Sequence, residues 1–212
     1  SGASQVPQSY RERVHQESEA LVLLQTFGIK SGYDWYWEDF QGNARNYSTF
    51  VQEAVDEPVD IRLRFFGVKD KDGVFPVNRF EVRWNDETIS QVSFNEATPI
   101  VALQASGGVQ EGLNQLGLFH NGPSIRLDWY ELEYSRGFSA QRGELIFDSP
   151  VFEGIGEFHL KGFVGERPRI FELSEDLAEI QDFVHDAGTG TVAFQDGAGG
   201  VPRHYLVVGP SR

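Results

Sequence analysis

The sequence predicts a mainly β protein, an antiparallel β-sandwich of jelly-roll type with little helix. Three observations predict it. Short segments in which apolar and polar residues alternate follow one another along most of the chain, and alternation places one face of a strand against a core. Turn-forming residues separate them, as in Asp70-Lys71-Asp72-Gly73, Asn85-Asp86-Glu87 and Ser106-Gly107-Gly108. No long helical period interrupts the series, and many short strands without crossover helices point to a sandwich.

Residues 10–24 are the one convincing helix candidate, because Tyr10, Val14, Leu21 and Leu24 recur at roughly helical spacing. Arg11, Arg13, His15, Glu17 and Glu19 also alternate there, which leaves an extended strand or a linker open. Residues 1–32 are therefore read as an amino-terminal extension or linker, and 33–138 as the sandwich domain. Within it, residues 59–68 place Val59, Ile61, Leu63 and Phe65 on one face. Phe80, Val82 and Trp84 pair across a turn with Ile89, Val92 and Phe94 as a hairpin. Residues 99–105 and 112–119 follow.

The segment 125–134 is the most informative. Ile125, Leu127 and Trp129 alternate with Arg126 and Asp128, and then the apolar phase shifts to Tyr130, Leu132 and Tyr134. One residue of slip moves every side chain to the other face, so the shift requires a bulge near Trp129 or a strand covered on both sides. Residues 139–201 are read as additional strands that pack on the sandwich or lead onward, with 176–185 a helical turn or a loop. Residues 202–212, with the core Tyr205-Leu206-Val207-Val208, read as the first strand of a truncated following domain. A chain that opens Ser1-Gly2-Ala3 and contains no methionine is expected to be an excerpt of a longer product.

Composition excludes several functions. A net charge of −14 over 212 residues opposes nucleic-acid binding, which needs clustered Lys and Arg. No apolar run approaches the roughly 20 residues of a membrane span. With no cysteine, disulfides, thiolate catalysis and Cys-based zinc sites are absent from these residues.

Candidate sites are few. Tyr33, Trp35, Tyr36 and Trp37, near Phe40, offer a sugar-stacking platform; the competing reading buries Trp35 and Trp37 and exposes only Tyr36. Trp84 and Trp129 read as core. Asp70 and Asp72 are a weak calcium candidate, since an Asp-Gly turn accounts for the same residues. No other cofactor is expected. His15, His120, His159, His185 and His204 show no paired metal-ligand spacing, and no Gly-x-Ser-x-Gly elbow is present. Asp196-Gly197-Ala198-Gly199-Gly200 lacks the following lysine of a phosphate cradle and reads as a loop. Asn46-Tyr47-Ser48 fits a glycosylation acceptor only by pattern.

Taken in order, Gly112-x-Asn114-x-x-x-Leu118, then residues 127–134, Leu-Asp-Trp-Tyr-Glu-Leu-Glu-Tyr, then Gly143-Glu144-Leu145-Ile146-Phe147, resemble the non-catalytic β-region that precedes the peptidase domain in gingipain-like cysteine peptidases of the C25 family. The nearest group is the sortase-like components of type IX secretion. Tyr205-Leu206-Val207-Val208 resembles the strand with which such peptidase domains begin. The resemblance implies a galactose-binding-like sandwich in a bacterial protein that is secreted or held at the cell surface. Its partner would be the downstream peptidase domain of the same chain, with protein or glycan ligands also open. The catalytic His and Cys of that family would lie beyond Arg212, so no catalytic residue is assigned and the chain itself is expected not to be an enzyme. The alternative is a carbohydrate-binding module using residues 33–37.

Overall fold

A computed structural model describes residues 4–23, 34–174 and 177–210. Among these residues every regular element is a strand and none is a helix. In chain order they are β1 (Ser9–Glu17), β2 (Leu21–Leu23), β3 (Asp34–Tyr36), β4 (Glu38–Phe40), β5 (Ala44–Val51), β6 (Val59–Gly67), β7 (Asn78–Trp84), β8 (Glu87–Phe94) and β9 (Ile100–Ala105). Then come β10 (Gly112–Asn121), β11 (Ile125–Gly137), β12 (Glu144–Asp148), β13 (Glu153–Leu160), β14 (Arg169–Glu172), β15 (Ala178–Ile180), β16 (Phe183–Asp186), β17 (Thr191–Gly199) and β18 (His204–Val208).

The chain divides into two compact units, one of residues 13–52 and 56–134, the other of residues 1–12, 53–55 and 135–212. The first is an antiparallel sandwich. One sheet has the order β1-β11-β6-β9 with β4 also on β11, and the other β5-β10-β7-β8. Alternation explains which side chains meet between them: Val59, Ile61, Leu63 and Phe65 of β6 are all buried, as are Phe80, Val82 and Trp84 of β7. Phe65 and Phe80 approach to 4.8 Å between ring centroids, and Phe40 meets Phe80 edge-on at 5.2 Å. The β7–β8 hairpin turns on Asn85 and Asp86, both left-handed at φ 47° and 68°. Asn and Asp tolerate that conformation in a two-residue turn.

The phase shift in β11 is a bulge. Leu127 pairs with Phe65 and Trp129 with Arg64, so Asp128 has no partner across the ladder. Beyond it Tyr130 and Leu132 face the core while Trp129 and Glu131 face outward.

The second unit packs β12-β18-β14-β15 against β13-β17-β16. Its own core is aromatic: Phe158 stacks on Phe194 at 5.0 Å and meets Tyr205 at 5.3 Å, while Phe147 stacks on Tyr205 at 5.1 Å.

Three sequence expectations change. Residues 9–17 are strand, not helix: Arg11, Arg13, His15 and Glu17 are exposed on alternate positions, and the helical spacing of Tyr10 and Val14 is incidental to that pattern. Residues 178–180 and 183–186 are strands, not a helical turn. Finally, β18 does not begin a separate domain, because it is hydrogen-bonded on one edge to β12 and on the other to β14.

Candidate functional site

The aromatic segment bends at Trp37, between β3 and β4, and Tyr36, which the competing reading exposed, is the residue that departs from the expected alternation. Tyr36 is buried, its ring 5.2 Å from Phe66 and beneath the Arg126 guanidinium. Trp37 is half-buried, stacked on Tyr130 at 5.5 Å and 12° and edge-on to Tyr47 at 4.8 Å. Trp35 pairs with Val22 across the β2–β3 ladder, and Tyr33 lies outside the described residues. A flat row of exposed rings is therefore not formed by Tyr36 and Trp37, whose faces are engaged within the protein.

Asp70 and Asp72 lie in a hydrogen-bonded turn. Asp70 Oδ1 accepts from the amides of Asp72 and Val74 at 2.9 and 3.0 Å, and Gly73 takes φ 78°. Among the described residues no group of three or more His, Asp or Glu is placed to hold a metal ion. Trp84 is core, with Nε1 donating to the Gly108 carbonyl at 2.8 Å. Trp129 is not; it is half-buried on the outer face, its ring 5.5 Å from that of His15.

Asn114, part of the motif that carried the family resemblance, is buried and structural. Its Oδ1 accepts from Gln110 N at 2.8 Å and from Asn85 Nδ2 at 2.9 Å, and its Nδ2 donates to the Gln110 carbonyl at 2.7 Å. It thereby ties the start of β10 to the β7–β8 turn, satisfying polar atoms that burial would otherwise strand.

Two ionisable clusters escaped the sequence because their members are far apart in the chain. On the outer face of β11, Glu131 is buried under cationic side chains: Arg13 is hydrogen-bonded to Oε1, His15 Nδ1 lies 3.0 Å from the same oxygen, and Arg62 reaches Oε2 at 3.4 Å. Burial raises the Glu131 pKa, but the hydrogen bonds from His15 and Arg13 outweigh it, and the carboxyl ends below its ordinary range. His15 moves the other way, burial lowering it and the bonds to Glu131 and Glu17 raising it further. Next to this cluster the bulged Asp128 is raised by burial against the pull of Arg64, 3.3 Å away.

In the second unit, His204 Nδ1 lies 2.7 Å from Asp148 Oδ1, and the His204 amide donates to Ser174 Oγ at 2.7 Å. Beside them Tyr205 donates to Asp196 at 2.8 Å, and Arg203 stands 3.5 Å from Asp196 and 3.8 Å from Glu172. Burial, then the bond to Asp196, pushes the Tyr205 phenol far up. A His–Asp pair supplies two of the three members of a nucleophilic triad, yet among the described residues no hydroxyl is hydrogen-bonded to His204 Nε2. A cleft of about 960 Å³ elsewhere in this unit is lined by Gly143, Gly162, Gly165 and Gly209 together with Arg142 and Glu166.

No family model matches the sequence, and no curated protein matches it. The likeness lies in the fold. The crystal structure of dimeric latent PorU from Porphyromonas gingivalis superposes with a TM-score of 0.75 over 98% of this chain, at 14% identity. The chain spans 21% of the length of that protein. The shared feature with PorU is thus a β fold that runs nearly the whole length of these residues. Two carbohydrate-active proteins overlay far less well: a Podospora anserina GH26-CBM35 β-(1,4)-mannanase (TM-score 0.38, 17% identity, 61% of this chain and 28% of that one), and a Paenibacillus cycloisomaltooligosaccharide glucanotransferase complexed with cycloisomaltoheptaose (0.34, 9%, 96% and 47%). Scores that low carry no argument about this chain.

Proposed function

We propose that this chain is a non-catalytic accessory β-region of a secreted or surface-attached gingipain-like cysteine peptidase of the type IX secretion sortase-like group, and that it supports or positions a downstream catalytic domain. The observation that carries the reading is the superposition on PorU over 98% of the chain. The all-strand architecture is in keeping with it: β1-β11-β6-β9, with β4 also on β11, and β5-β10-β7-β8 form an antiparallel sandwich with no helix among the described residues. The 212 residues contain no cysteine, so the nucleophile of such a peptidase belongs to another part of the gene product. Fold alone does not assign function, and the experiment must supply it.

The test is the gene itself, followed by deletion. The reading frame is expected to continue beyond residue 212 into a domain bearing a His and a Cys, and removing residues 1–212 is expected to lower the melting temperature of that domain or its yield at the cell surface. A reading frame without such a domain overturns the reading, as does a catalytic domain whose stability, yield and kcat/KM are indifferent to the deletion. A glycan array is the control for the alternative module built on residues 33–37.

A further inference from the structure

We propose that β5 is an interaction edge whose partner is β5 of a second copy of this chain, the two strands running antiparallel about a two-fold axis at Tyr47. Among the described residues β5 ends its sheet, paired with β10 on one side only. The His120 amide donates to the Asn43 carbonyl, and both backbone groups of Gln115 are taken by Asn85. Bonded and non-bonded pairs alternate in an antiparallel ladder, so Arg45, Tyr47, Thr49 and Val51 bond to β10, whereas Ala44, Asn46, Ser48 and Phe50 turn their amides and carbonyls to the open edge. The side chains of these four are exposed, that of Phe50 by 60%.

Sheet edges are ordinarily blunted by charge, proline, a bulge or shortness. Other edges of the same unit carry such devices: β1 exposes Arg13, His15 and Glu17 at alternate positions, β8 lies across a register shift and carries Glu87, and β9 has six residues behind Pro99. By contrast β5 has eight residues, no proline, no register shift against β10 and one charge, Arg45, whose Nε is held by Glu38 at 3.1 Å. Behind it β10 contains no Asp, Glu, Lys or Arg. In a chain of net charge −14 these two adjacent strands hold no carboxylate.

The register selects the occupant. Along the outer face Leu113 stands beside Phe50, Gln115 beside Ser48, Gly117 beside Asn46 and Phe119 beside Ala44. An axis at Tyr47 brings Phe50 opposite Ala44 of the second copy and Ser48 opposite its Asn46, so all four outward-facing residues pair, each pair exchanging two backbone bonds. The rows that result are Leu113-Phe50-Ala44-Phe119 and Gln115-Ser48-Asn46-Gly117, in which apolar residues meet apolar ones and neutral polar residues meet their kind. Moving the axis to Ser48 would set Phe50 against Asn46 and carry Ala44 past the end of β5. Each Arg45 falls opposite Thr49 and about 13 Å along the strands from the other Arg45, beyond the screening length at physiological salt.

The proposal does not depend on the accessory-domain reading, and its failure leaves that reading standing. A pairing of two short strands buries less than a standard interface, so the dimer is weak and shows itself through concentration. Sedimentation velocity of chain 1–212, from micromolar to submillimolar, is to compare wild type with Ser48→Pro, Asn46→Lys, Ser48→Glu and, on the exposed side of β9, Ala102→Lys. Ser48→Pro removes an outward amide and no bond to β10, and Asn46→Lys sets two ammonium groups diagonally across the axis. The expected dimer weakens at least tenfold in each of these two and keeps its affinity in Ala102→Lys. It strengthens with added salt, which screens the repulsion between two acidic chains while the edge itself carries little charge. Mixing the Asn46→Lys and Ser48→Glu chains restores it, because the register places those two positions opposite each other, and this mixture decides the matter even where the proline disturbs the fold. A monomer at every concentration overturns the proposal and leaves the edge to a strand of another protein. A dimer indifferent to Ser48→Pro, a dimer lost in Ala102→Lys, or a mixture that stays monomeric overturns it as well.

Discussion

The Tyr130 phenol and the Thr49 hydroxyl lie 2.7 Å apart between the two sheets of the first unit, both side chains almost fully buried. One hydrogen bond therefore joins β11 to β5 across an apolar layer, and each group satisfies the other. Two residues before Thr49 on the same β5 strand, Tyr47 has a buried hydroxyl with no partner among the described residues.

These two tyrosines should respond oppositely to loss of oxygen. Tyr130→Phe strands the Thr49 hydroxyl and should cost about 1–3 kcal/mol of unfolding free energy, while Tyr47→Phe removes an unsatisfied group and should be neutral or stabilising. Urea denaturation measures both. Adding Thr49→Val to Tyr130→Phe should recover part of the loss, and a strictly additive double variant would show that the two hydroxyls are not coupled.

The histidines His120 and His15 should titrate on opposite sides of an ordinary imidazole. His120 is buried, accepts at Nδ1 from the Gly42 amide at 3.0 Å and sits with Nε2 2.8 Å from Asn78 Oδ1, an amide oriented by its own bond to the Pro76 carbonyl. Burial lowers its pKa, only partly offset by Asp39. A depressed histidine contributes stability that is complete above the unfolded value of about 6.5 and is lost as pH falls through the folded value. His15 has a raised pKa, so its contribution is complete below the unfolded value and is lost as pH rises through the folded one. Imidazole proton shifts followed by NMR from pH 4 to 9 should place His120 below and His15 above the free histidine. The reverse order would contradict both environments.

Two glycines of ordinary φ should differ in their tolerance of a methyl group. A Cβ at Gly67 would fall 2.2 Å from the Glu96 carbonyl oxygen, a backbone atom that cannot rotate away. At Gly156 the atom at 2.2 Å is Phe152 Cζ, the far end of a side chain. Gly67→Ala should therefore cost about 3 kcal/mol or more, and Gly156→Ala about 1–2 kcal/mol. Phe152→Leu should rescue the second and leave the first untouched, as thermal melts of the four variants will show.

What the sequence revealed and what it hid follow from distance along the chain. The β11 bulge was legible because a phase slip in the apolar pattern has few causes, and the Asn85-Asp86 turn because its residue types match its backbone. Residues 10–17 misled because β1 alternates weakly: Arg11, Arg13, His15 and Glu17 lie outward, but Glu12 and Gln16 stand on the other face where apolar residues were expected. Tyr36 was misplaced because a bend between two short strands resets the alternation, so that it is buried while Trp37 keeps its inward contacts with Tyr47 and Tyr130. The cluster on Glu131 was invisible for a different reason. Arg13 and Arg62 lie 118 and 69 residues away, and only the order β1-β11-β6 brings them to the same carboxylate.

That carboxylate gives the sharpest test of the β1-β11-β6 arrangement. Glu131 points outward after the bulge, yet the arms of Arg13, His15 and Arg62 fold over it and leave it 6% exposed. Their own charged ends remain largely in solvent, so removing the carboxylate strands no buried cation, and Glu131→Gln should cost about 1–2 kcal/mol at pH 7, toward the low end for bonds to charged groups. Because the folded pKa is lowered, this stability is complete above the unfolded value of about 4.5 and disappears as pH falls through the folded value. Wild type and Glu131→Gln should therefore differ in urea midpoint at pH 7, and the difference should shrink as pH falls from about 4.5 through the folded value. Each single replacement of Arg13, His15 or Arg62 by alanine should cost less than Glu131→Gln, since two partners remain in every case. A gap between wild type and Glu131→Gln that stays constant from pH 7 to pH 3 would mean that the amide is lost to shape rather than charge, and that the three cations do not act on Glu131 at all.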